Sequence, residues 1–194
     1  MLDAIRPEKI EPSAAGLKVS FGMCTLSVDC AQRDAQRLLD SENPEICCQL
    51  ETDDAGFHLL GFATEERRRL YQGLRAVNGI GRRSALVVLD CGETVDVLRA
   101  VSGKDKLFFR SVPGVGPKKI DAIINTLGKR YKDALPAAIP VAVTDWVEAR
   151  DAILNHGLTP LQADQLLHKA AVAGMDAERL LGAAQQLLSS EQSS

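Results

Sequence analysis

The chain has 194 residues, 45% of them apolar but only 4% aromatic, and a formal net charge of -3. That length admits one large domain or two to three small ones with aliphatic cores, and no run approaches the ~18 to 20 apolar residues of a membrane span. Five cysteines (Cys24, Cys30, Cys47, Cys48, Cys91) form no CxxC pair and accompany only three histidines, so no zinc site is expected, and idle thiols in a reducing cytoplasm are the better reading.

The overall charge hides an uneven distribution. Residues 63–133 carry 15 Lys and Arg against 8 Asp and Glu, a net of +7, whereas residues 1–62 are -6 and residues 134–194 are -4. Fields act over roughly one Debye length of ~8 Å, so the basic middle can attract a polyanion although the whole chain is acidic.

The opening MLDAIRPEKIEP has no continuous apolar stretch and does not read as a secretory leader. Residues 16–62 read as β. In GLKVSFGMCTLSVDC, Leu17, Val19 and Phe21 alternate onto one face, with Leu26 and Val28 in a later register. EICCQLE and GFHLLGF are further short strands, and AQRDAQRLLDSENPE a short helix and loop. Short strands with turn signals predict a small barrel.

From Thr64 the period changes. Thr64 is a candidate N-cap with Glu65 and Glu66 in the first turn, and Leu70, Leu74 and Val77 form a helical stripe. A turn at Asn78–Gly81, a helix to about Leu89, a helix in GETVDVLRAV and a short helix in GKDKLFFRSV follow. After a second glycine turn, PKKIDAIINTLGKRYK is helical, so the middle block repeats one helix–turn–helix unit with a period of 35. DALPAAIPVAVT is a Pro/Ala-rich linker. Thr144 then looks like an N-cap, Gly157 ends that helix, and Thr159 with Pro160 begins another. A third helix in MDAERLLGAAQQLL completes a bundle, and SSEQSS is a frayed tail.

The two glycine turns, NGIGRR and PGVGPKK, carry the chemistry. Glycine takes positive φ and lets a ligand approach the backbone closely. The helix that follows presents unpaired N–H groups and a partial positive charge. Together these suit a backbone phosphate, at Gly79 and Gly81 with Arg82 and Arg83, and at Gly114 and Gly116 with Lys118 and Lys119. Ile80 and Val115 plug the turns. A lone GxG between helices is usually only a tight turn, whereas two copies with paired cations in the one basic block point to DNA or RNA backbone binding without base readout. A P-loop is excluded, because GxxxxGK[ST] does not occur and Ile123 stands where its first glycine would precede Gly128–Lys129.

Residues 61–132, from the Gly61–Phe62 lead-in through both turns to the closing basic helix, closely resemble the middle domain of the RuvA family. That resemblance implies an α+β multidomain protein: an oligonucleotide-binding-fold barrel and oligomerisation domain over 1–63, tandem helix-hairpin-helix units over 64–133, a flexible linker over 134–144, and a UBA-like three-helix bundle over 145–190. NHGLTPLQADQLL also looks like the start of the family's last domain. The barrel departs from the family: the usual opening strand is replaced by MLDAIRPEKIEPSAAG, and Arg82–Arg83 stand where the family often has Pro-Lys.

The implied function is binding of a Holliday junction for branch migration in recombination, DNA repair and the SOS response. The partners would be four-way DNA, a RuvB-type hexameric ATPase, a RuvC-type resolvase, and the chain itself as a homotetramer or octamer. No catalytic residue, metal or cofactor is expected. In ETDDAG, Asp53 and Asp54 read by themselves as a solvated turn, and a metal or catalytic pair lacks a third ligand. The resemblance implies instead an acidic pin that keeps strands apart at the crossover. Two rivals are a generic helix-hairpin-helix module of a repair or nuclease complex and a base-excision glycosylase. The glycosylase would need Asp133 as its catalytic carboxylate in a pocket for a flipped base.

Overall fold

A computed structural model describes residues 3–54, 56–110, 112–132, 141–171 and 175–192. The chain divides into two units, Met1–Thr94 with Val112–Gly114 and Val95–Ser111 with Val115–Ser194. The architecture is mixed α+β, with one six-stranded sheet and, among the described residues, eight helices.

The first unit is built on strands β1 (Ala4–Ile5), β2 (Lys9–Ser13), β3 (Gly16–Phe21), β4 (Cys24–Asp29), β5 (Ile46–Asp53) and β6 (Gly56–Phe62), in the order β1-β5-β6-β4-β3-β2. All pairs are antiparallel except β4 with β6. Leu17, Val19 and Val28 are buried with Ile46 and Cys48 as the alternation predicts, and helix α1 (Gln32–Leu39) adds Leu38 to that core, whereas Leu26, expected beside Val28, is 41% exposed. The strands begin earlier than the alternation signal, which is absent from KIEPS. Pro12 sits there because β2 is an edge strand, where a missing donor costs no ladder bond. The two edges, β1 and β2, are consecutive pieces of chain joined by Arg6–Glu8.

Helices α2 (Glu65–Arg75) and α3 (Arg82–Asp90) complete this unit. Thr64 caps α2, its hydroxyl accepting from the Arg67 N–H, and Leu70, Leu74 and Val77 are buried. Arg67 ties the helices to the sheet unit from a fully buried position. Its Nε donates to Asp34 Oδ1 of α1 at 2.7 Å, and its guanidinium donates to the carbonyls of Leu89 and Gly92. Asp34 Oδ1 also accepts from the Ala63 N–H.

Helix α4 (Thr94–Ser102) leads into the second unit, which contains α5 (Pro117–Arg130), α6 (Val143–Leu154), α7 (Pro160–Ala170) and α8 (Ala177–Gln192). Trp146, Ala149, Ile153, Ala163, Leu167, Leu180 and Ala184 pack together across α6, α7 and α8. Thr159 forms a full capping box with Gln162.

Three local expectations are corrected. GKDKLFFRSV is not a helix: Lys104 takes φ +53, and Asp105 Oδ1 accepts from the N–H groups of Leu107 and Phe108, a side-chain competitor to helical bonding. Thr144 is not the N-cap of α6. Ala142 holds that position, and Asp105 Oδ2 accepts from the Val143 N–H at 3.1 Å, supplying the acceptor that a capping side chain would give. The tail from Ser189 is helical through Gln192 rather than frayed. The linker expected from 134 falls outside the described residues as far as 140, and so does Asp133, which a glycosylase would need.

Candidate nucleic-acid interface

The two glycine turns have the same backbone shape. Gly79 has φ +80 and Gly114 φ +77, the left-handed conformation that side chains resist. Two residues on, Gly81 (φ -85, ψ 172) and Gly116 (φ -81, ψ 174) are extended and serve as N-caps of α3 and α5. Between them Ile80 and Val115 are buried. Neither cap glycine supplies a side-chain acceptor for the first turn; in α5 Pro117 has no N–H and the Lys119 N–H donates to the Gly116 carbonyl, which leaves the Lys118 N–H as the first-turn donor suited to an outside ligand. A Cβ built on Gly81 or Gly116 meets nothing within 4 Å. Neither backbone conformation nor internal packing requires glycine there; as N-caps they are better than alanine, and without a side chain they leave the backbone open to close approach.

The cations differ in what they do. Lys118 is exposed on the first turn of α5, Lys119 is half-buried beside it, and Arg83 is exposed on α3. Arg82 is turned back onto the sheet. Its Nη1 lies 2.8 Å from Asp53 Oδ2 and its Nε 3.6 Å from Asp29 Oδ2. The β5–β6 hairpin closes on the Asp53–Gly56 pair, which puts Asp53 at the tip beside the first glycine turn. His58 bridges the same carboxylates, 3.0 Å from Asp53 and 3.6 Å from Asp29. Asp54 is exposed, with no hydrogen bond or ion pair among the described residues.

Two residues that sequence reasoning missed brace the first turn. Arg75 Nη1 donates to the Ile80 carbonyl at 2.8 Å while its Nε lies 3.3 Å from Glu51 of β5. The signal was its opposition to Glu51, 24 residues away, which no local pattern reveals.

Among the described residues no group of three or more His, Cys, Asp or Glu is placed to hold a metal, and no helix is long and apolar enough to cross a membrane.

No family model matches the chain. It is similar to proteins named Holliday junction branch migration complex subunit RuvA. That of Parvibaculum lavamentivorans is 34% identical over 158 residues, covering 75% of this chain and 77% of the relative. That of Methylococcus capsulatus is 32% identical over 148 residues, covering 71% and 73%. That of Rickettsia bellii is 23% identical over 179 residues, covering 92% and 80%.

Proposed function

The chain belongs to the RuvA family, and on that premise we propose that it is the Holliday junction-binding, non-catalytic subunit of a branch migration complex whose ATPase is a RuvB-type partner. The observation that carries this reading is the pair of congruent glycine turns, each opening a helix whose first turn bears a cation free to face solvent, Arg83 and Lys118. Gly79, Gly81 and Arg83 hold one phosphate, and Gly114, Gly116, Lys118 and Lys119 another. Binding of this kind is independent of sequence and sensitive to salt. The reading implies a cytoplasmic protein.

We read the strands as an oligonucleotide-binding-fold barrel. The order β2-β3-β4-β6-β5, the parallel β4–β6 pair, α1 between β4 and β5, and closure through β1 on β5 support it. The helices over 64–133 are the tandem hairpin domain and α6–α8 the partner-facing bundle.

A four-way junction has four equivalent arms, which suits a homotetramer. On the face of β5 and β6 that carries the core residues Ile46 and Cys48, Leu50 is 60% and Phe57 79% exposed, apolar surface suited to self-association. Asp53 and Asp54 form the acidic pin at the crossover.

The test is competition binding of the full chain to a four-way junction and to linear duplex of matched length. Preference for the junction is expected, and equal affinity would favour the generic hairpin module instead.

A further inference from the structure

Arg82 occupies a position whose neighbour, Arg83, is exposed, yet its own side chain is only 16% exposed and lies against carboxylates of two strands. Asp53 comes from the end of β5, Asp29 from the end of β4 and His58 from β6, so Arg82 and His58, sharing the two carboxylates, join three adjacent strands near the hairpin tip. The Asp53 carboxylate is held on both oxygens, Oδ1 by His58 and Oδ2 by Arg82. A guanidinium between two carboxylates is poorly disposed to leave them for a solvated phosphate, and a carboxylate held on both oxygens keeps a fixed direction.

We propose that Arg82 is a positioning residue for the acidic pin and not a phosphate ligand. It fixes Asp53 beside the first glycine turn and offsets its charge locally, while Asp54 stands free at the tip. The first hairpin then engages DNA through its backbone N–H groups and Arg83. Asp29 and His58 complete the clamp. The pin and the first phosphate site are thereby mechanically one part, because α3 begins at the residue that holds Asp53. This inference rests on the junction-binding reading and adds to it which charges touch DNA.

The experiment compares wild type, Arg82→Gln, Arg83→Gln, Asp53→Asn and the Arg82→Gln/Asp53→Asn double variant on four-way and linear DNA across a salt series. Arg83→Gln should lower the log–log salt slope on linear DNA by about 0.9, the value of one neutralised phosphate. Arg82→Gln should leave the slope on linear DNA at the wild-type value, because no phosphate contact is lost, and a retained cooperative melting transition shows that the variant is folded. Its ratio of junction to linear affinity should fall about 2- to 5-fold, the range open to a partly exposed ion pair. The double variant should lose no more selectivity than the more affected single variant, because both changes break the same ion pair. A reduced linear-DNA slope in Arg82→Gln would make Arg82 a phosphate ligand and overturn the proposal. So would unaltered selectivity, or selectivity losses that add. Failure of the wild type itself to prefer junctions would instead sink the junction reading, so the two failures are distinct.

Discussion

Arg150 of α6 and Asp96 of α4 form a buried ion pair across 54 residues of sequence, Nη1 donating to Oδ1 at 2.9 Å and Nη2 to Oδ2. Asp96 is 0% and Arg150 2% exposed. Burial works against the Arg150 charge, but the hydrogen bonds and charge of Asp96 together with the charges of Asp164 and Asp151 outweigh it and hold the guanidinium pKa above its ordinary value. Asp164 lies 3.8 Å from Arg150 and also accepts from the Trp146 indole at 3.1 Å. Arg99 stacks over Trp146, 5.3 Å from the ring centroid. Helix α4 is thereby joined to α6 and α7 within the second unit.

Removing one partner leaves the other charge buried and unpaired. Asp96→Ala or Arg150→Ala should therefore cost about 3–5 kcal/mol, measured as a drop in denaturant midpoint. The paired replacement Asp96→Leu/Arg150→Met keeps apolar volume without charge and should cost far less than either single change. Equal losses in all three would mean the pair contributes nothing specific.

None of that network was legible in the sequence. Asp96 and Arg150 lie in two separate helical segments, and local periodicity says nothing about pairing between distant helices. The same blindness hid Arg67 with Asp34 and Arg75 with Glu51. What was legible had a local cause: the Thr64 and Thr159 caps, the alternation of Leu17 and Val19, and the glycine turns, whose conformation is written in two residues. KIEPS was missed because an edge strand buries little and so need not alternate strictly. The helix expected in GKDKLFFRSV failed because Asp105 competes for the backbone, an effect that apolar spacing does not register. Arg82 and Arg83 looked equivalent in sequence, and only the fold sends one of them to Asp53.

The four turn glycines should separate into two classes. Gly79→Val and Gly114→Val force a β-branched residue to φ near +80 and should cost about 1–3 kcal/mol in stability. Gly81→Ala and Gly116→Ala meet open space at ordinary φ and should cost only about 0.5–1 kcal/mol through poorer capping. All four should weaken DNA binding. Melting curves beside duplex titrations check this, and wild-type affinity in both Ala variants would reduce those glycines to plain turn residues.

Lys118 and Lys119 should act without regard to DNA shape. Replacing both by Ala should weaken junction and linear duplex alike, with the log–log salt slope falling by about 0.9 for each phosphate no longer neutralised. An unchanged slope would mean that the two lysines only solvate the start of α5.

The thiols should divide by burial. Cys24 is exposed, whereas burial pushes the Cys30 thiol up to about 12 and Cys48 to about 11, in Cys30 with help from nearby carboxylates. The thiolate is the reactive species, so at pH 8 a disulfide reagent should modify Cys24 rapidly in the folded protein. Cys30 and Cys48 should react only after unfolding. Rapid modification of either, read by peptide mass spectrometry, would contradict the packing of the sheet core.

Asp53 and Asp54 sit together in sequence but not in environment, and the pin hypothesis predicts different consequences for each. Asp54 is exposed without a partner among the described residues. Removing its charge relieves repulsion worth on the order of 1 kcal/mol for charges a few ångströms apart in water. Asp54→Asn should therefore bind linear duplex up to about 5-fold more tightly, and its preference for four-way junctions should fall. Asp53→Asn removes a charge too, but it also releases Arg82 from its strongest ion pair at 2.8 Å. The freed guanidinium can then reach a phosphate, so this variant alone should gain salt slope on linear DNA, by about 0.9 for one more phosphate neutralised. A turn that only solvates the hairpin end would show neither change and would lose a little stability instead. A metal-binding pair would make wild-type binding sensitive to a chelator and the Asn variants insensitive. Competition between junction and linear DNA at two salt concentrations separates these outcomes, and unaltered selectivity in both Asn variants would remove the pin from the mechanism.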